Sequence, residues 1–94
     1  MNTTVELVER ACAFCISLRQ GDGLRNDELE LLKEVISRFC AEHANAESIP
    51  KEAARALVEL IPIIDSAASM YSGDEAEEIR DASASLFDLI LSEL

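Results

Sequence analysis

Ninety-four residues carrying 8 Lys and Arg against 19 Asp and Glu, a net charge of −11, suffice for one small domain and leave no room for a second core. Few aromatics (4%) and abundant Ala, Leu, Ile, Glu and Ser favour helix over sheet, so the predicted architecture is all-α: a compact antiparallel four-helix bundle. The acidic balance speaks against direct binding to nucleic acid or to anionic membranes, both of which require a basic footprint.

The first predicted helix covers residues 4–20. Thr3 and Glu6 have the spacing of a capping box, in which each side chain satisfies the other's backbone amide. Val5, Val8, Cys12, Cys15 and Ile16 fall on one face, and Leu7, Ala11, Phe14 and Leu18 widen it. Gly21 suits the left-handed position that closes a helix. The second helix is expected over 27–46, starting at Asn26 or Asp27, with Glu30 at the reciprocal capping position. Leu29, Leu32, Val35, Ile36, Phe39, Cys40 and His43 recur at helical intervals on its apolar side.

Ser48-Ile49-Pro50 opens the third helix, predicted over 50–72, with proline tolerated in the first turn. Its apolar positions, from Ala54 to Tyr71, wrap roughly two thirds of the circumference at ~100° per residue, more than a single neighbour can cover. Pro62 deletes the bond to the Val58 carbonyl, so a kink or a break is expected there. Gly73 ends this segment. The fourth helix is predicted over 75–93, with Asp74 and Glu77 in capping positions and a carboxylate-rich start that suits the helix dipole. Ile79, Ala82, Ser83, Leu86, Phe87, Ile90 and Leu94 make its buried stripe.

Cys12-x-x-Cys15 and Cys40-x-x-His43 have the arithmetic of a structural zinc site. Helical register opposes it. In a hairpin turning at residues 21–26, the first pair lies about 10 Å from the turn and the second about 22 Å, a mismatch of roughly 12 Å that bonds of ~2 Å do not span. Cys12 is also two turns into its helix, too far from the start for the helix dipole to lower a thiol pKa as redox pairs require. Buried free thiols are the simpler reading, and His43 reads as a packed residue bonding terminal carbonyls. Asp22-Gly23 and Glu28 echo a calcium loop but fail at three ligand positions. No metal, cofactor or catalytic residue is assigned. Asp65, at the edge of the third helix's apolar arc, is read as a rim carboxylate.

An odd count of three cysteines in apolar surroundings, no secretory leader and no membrane-spanning run lead to the expectation of a cytoplasmic protein. In size, charge and helicity alone the chain resembles small inhibitors: immunity proteins, antitoxins and acidic mimics of nucleic acid. That resemblance implies a module that neutralises or recruits a basic protein. The candidate contact residues are Asp74, Glu75, Glu77, Glu78 and Asp81, joined by Asp22, Asp27, Glu28 and Glu30. The alternative is a homodimeric scaffold domain sealed by the surplus apolar surface.

Overall fold

The computed structural model describes residues 3–93. Four α-helices make up the fold: α1 (Thr3–Arg19), α2 (Asn26–Glu42), α3 (Lys51–Ala68) and α4 (Gly73–Glu93). No strand occurs among the described residues. Each helix packs on two others. α1 lies against α2 and α3, and α4 lies against α3 and α2; α1 does not approach α4, nor α2 approach α3. The seam between α2 and α4 is the thinnest of the four.

The core is built from Leu7, Phe14 and Leu18 of α1, Leu32, Val35, Ile36 and Phe39 of α2, Leu60 and Ile64 of α3, and Ile79 and Leu86 of α4, all fully or almost fully enclosed. Side chains of this size contribute about 1.5–3 kcal/mol each on burial. This corrects the apolar face expected for α1. Val5 (45% exposed), Ile16 (54%) and Cys12 face outward, while Leu7, Ala11, Phe14, Cys15 and Leu18 are inside. Two overlapping stripes compete on α1, and the one carrying Phe14 and two leucines offers more volume to fill the centre. Leu94, expected on the α4 stripe, lies outside the described residues.

The start of α1 meets the end of α2 through polar pairs. The Thr3 hydroxyl contacts the Glu42 carboxylate (2.7 and 2.8 Å), and the Arg38 guanidinium donates to Glu6 (2.9 and 3.3 Å). The expected Thr3–Glu6 capping box is therefore not the arrangement these side chains adopt. Thr3 is itself the first residue of α1, and a cross-helix partner of opposite charge holds Glu6 more strongly than a single amide would. The same bond holds the Glu6 carboxyl below its ordinary range.

Gly21 closes α1 as its sequence position suggests. With φ of +86°, it lets Gly21 N–H reach Leu18 O (3.2 Å) and Asp22 N–H reach Ser17 O (3.1 Å), the paired bonds of a Schellman motif. α2 starts at Asn26 with Arg25, not Asn26 or Asp27, as the cap residue, and with no side-chain cap bond. It stops at Glu42, short of the predicted Ala46, because three-residue turns take over and the His43 ring folds back. His43 Nδ1 donates to Phe39 O at 2.9 Å, and the two rings stack at 4.2 Å. α3 runs unbroken through Pro62 and ends at Ala68, earlier than predicted, where successive turns bond Ser69, Met70 and Tyr71 back to Ser66, Ala67 and Ala68. α4 begins at Gly73, which places Asp74 inside its first turn.

Tyr71 ties two connections together. Its phenol donates to Leu18 O (2.7 Å) and accepts from Gly23 N–H (3.0 Å). The α1–α2 turn, the end of α3 and the start of α4 thus share one end of the molecule. There the Glu75 carboxylate comes so near Gly23 that a Cβ on that glycine would sit 3.2 Å from it.

Candidate functional site

Side chains spaced three and four residues apart share one side of a helix. On α4 this spacing joins Asp74, Glu78, Asp81, Ser85, Asp88 and Ser92; on α2 it joins Asp27, Glu30 and Glu34. The two rows border the thin α2/α4 seam, which opens into a shallow groove of about 940 Å³. Asp27, Glu30, Lys33 and Glu34 line one wall, and Ser85, Asp88 and Ser92 the other. Asp74, Glu78 and Asp81 extend the α4 wall toward the start of that helix, and all three are exposed.

The two walls differ electrostatically. Each α2 carboxylate has a cation at the limit of ion pairing: Arg25 3.8 Å from Asp27, Lys33 3.9 Å from Glu30, and Arg38 3.9 Å from Glu34. Exposed pairs at such distances neutralise little. Among the described residues no cation lies within 4.0 Å of Asp74, Glu78, Asp81 or Asp88, so the α4 wall keeps its charge uncompensated.

Five of the nine residues singled out from the sequence, Asp27, Glu30, Asp74, Glu78 and Asp81, fall along this groove or its extension, and Glu77 flanks them on α4. Asp22 and Glu75 sit apart, at the end of the molecule held by Tyr71. Glu28 is half-buried with its Oε2 shielded and without a hydrogen-bond partner, so it is poorly placed to meet another protein. Sequence reasoning missed Glu34 and Asp88. Both continue a three-four spacing begun by residues already chosen, and following that period would have found them.

The thiols and the imidazole are dispersed. Cys12 is exposed beside Ile16 and Ile63 in the α1/α3 groove, whereas Cys40 and His43 lie by Ile49 and Glu93 at the other end of α2. Burial pushes the Cys15 thiol up to about 11 and also raises that of Cys40, which keeps both protonated at neutral pH. Among the described residues no three His, Cys, Asp or Glu side chains are grouped so as to hold a metal ion. No described helix is long and apolar enough to cross a membrane. Comparison with known proteins adds no relative: no family model, curated protein or solved structure matches the chain.

Proposed function

We propose that this chain is a small acidic binding module that neutralises or recruits a basic protein, with the α2/α4 groove as its contact surface. The observation that carries this reading is the row Asp74, Glu78, Asp81 and Asp88, exposed and without an ion pair among the described residues, beside an open groove. A partner presenting Lys or Arg at helical spacing gains from the uncompensated row, and the net charge of −11 steers its approach. In this reading the helices form two antiparallel hairpins, α1/α2 and α3/α4, packed side by side, with a bend in α3 at Pro62. The same charge makes nucleic acid and anionic membranes poor partners, and the free thiols suit a reducing cytoplasm. No catalytic role is assigned to any residue.

Two acidic rows flanking a groove also suit an inhibitor that imitates nucleic-acid charge or an immunity-type blocker. Affinity purification from the native host, under reducing conditions, tests the reading. A basic protein should be retained by the wild type, released as ionic strength rises from about 0.05 to about 0.5 M, and lost with Asp81→Lys and Asp88→Lys together. A partner held equally well through both changes would remove the groove from consideration.

A further inference from the structure

Among the described residues, the seven large apolar side chains that remain exposed are not scattered evenly. Val58 (73% exposed) and Phe87 (48%) line a groove of about 450 Å³ on the α3/α4 side, and Leu91 (63%) follows one helical turn after Phe87. Ala54, Val58, Ile61 and Pro62 of α3 and Phe87 and Ile90 of α4 line it, and among the described residues no charged side chain does. Single exposed apolar residues are ordinary, but a contiguous face of this kind is not. Basic side chains also stand on this face. Lys51 lies seven residues before Val58, and Arg80 seven before Phe87, so each shares the helix side of its apolar neighbour, with Asp65 as the rim carboxylate.

We propose that this α3/α4 face is a self-association surface that seats a second copy of the chain. Charge selects the occupant. Two copies at −11 each repel across every acidic side, and the apolar α3/α4 face lets them meet with those sides pointing away. The acidic groove opens on another side of α4, with Asp88, three residues before Leu91, as its carboxylate nearest the contact, where screening at physiological salt acts over ~8 Å. Shape agrees. A two-fold interface must be self-complementary, and this face carries both a hole and, in Leu91 beside it, a protruding knob. α3 is about 27 Å long, and a strip of that length two helices wide covers roughly 500 Å² per copy, at the low end for specific association. The product is a reversible dimer, not a permanent one.

This inference does not depend on the acidic-groove reading, and salt separates the two because it acts with opposite sign. Screening weakens attraction to a basic partner but relieves repulsion between like copies. Sedimentation equilibrium of Cys12→Ser protein, which excludes a disulfide through the exposed thiol, tests it from about 5 to about 500 µM. The expected result is a monomer–dimer equilibrium in this range that tightens as salt is added. Val58→Asp and Leu91→Asp, both at heavily exposed positions, should each weaken it at least tenfold while the helical circular dichroism is kept. Leu31→Asp, on the α2/α4 side, should leave it unchanged. A wild type that remains monomeric at the highest concentration overturns the proposal. So does a dimer indifferent to Val58→Asp and Leu91→Asp, or one disrupted by Leu31→Asp as strongly as by either.

Discussion

At the scale of single residues, the α1/α2 seam shows how much depends on whether a polar atom finds its partner. Thr3 and Glu42 pair, Glu6 and Arg38 pair, and the same register (numbers summing to 44 or 45) brings Ser17 opposite Glu28. There the seam is incomplete: Ser17 Oγ and Glu28 Oε2 are both shielded and both without a hydrogen-bond partner. Ser17→Ala is therefore expected to leave stability within about 0.5 kcal/mol of wild type or to raise it, whereas Thr3→Val should cost about 1–2 kcal/mol, both read by urea unfolding. A large loss from Ser17→Ala would mean that its hydroxyl is satisfied. The Tyr71 phenol is the opposite case, one oxygen serving two backbone groups. Tyr71→Phe should cost about 1–3 kcal/mol and speed hydrogen exchange at the Gly23 amide.

Cys15 supplies a pH test at the same scale. Its thiol rises from an ordinary 9.0 to about 11 because burial penalises the thiolate. Between those values the folded state holds a proton that the unfolded chain has released, so stability must fall as pH rises from 9 toward 11. Below pH 9 Cys15 imposes no such loss. Cys15→Ala should flatten the alkaline limb of the stability curve, and at neutral pH thiol reagents should modify Cys12 well ahead of Cys15.

At the scale of elements, Pro62 sits inside α3 without ending it, and its ring is exposed. A helix interior normally disfavours proline by about 3 kcal/mol, offset in part by the stiffness it gives the unfolded chain. Pro62→Ala should therefore stabilise the fold by about 1 kcal/mol or more, a rise in Tm of about 4–8 °C for a domain of this size. An unchanged Tm would show that the neighbouring backbone has already adapted. Of the kink or break expected at Pro62, the break does not occur; packing of Leu57, Leu60 and Ile64 against the other helices holds the segment together.

The four helices were legible because Gly21, Pro50 and Gly73 punctuate the chain, each for a backbone reason that holds whatever surrounds it. Less could be read where the answer depends on a neighbour. The flank that α1 buries is decided by Phe14 meeting α2 and α3, and the partner of Glu6 is Arg38, 32 residues away. Of the candidate site, the acidic character was legible and its geometry was not. Glu75, crowded among acidic neighbours on α4, and Glu28, next to Asp27 on α2, both turn away from the groove, while Glu34 and Asp88, from separate clusters, share it.

At the scale of the whole molecule, the distribution of charge works against the fold that carries it. The carboxylates of the α4 wall repel one another and, among the described residues, gain no compensating ion pair. Asp81→Lys and Asp88→Lys together should therefore raise Tm slightly even as they remove the proposed partner contact, a separation of stability from function that differential scanning calorimetry combined with a binding assay would show. A fall in Tm would instead assign those side chains a structural role.

The connection between α2 and α3 is exposed from Ala44 to Ser48, and the backbones of those two helices do not approach; what joins the halves is α1 on α3, α2 on α4, and the Tyr71 bridge between the turns. Protease nicking there should thus leave two pieces that remain bound to each other, so that the polypeptide behaves as a pair of mutually templating halves for which the covalent link is a convenience.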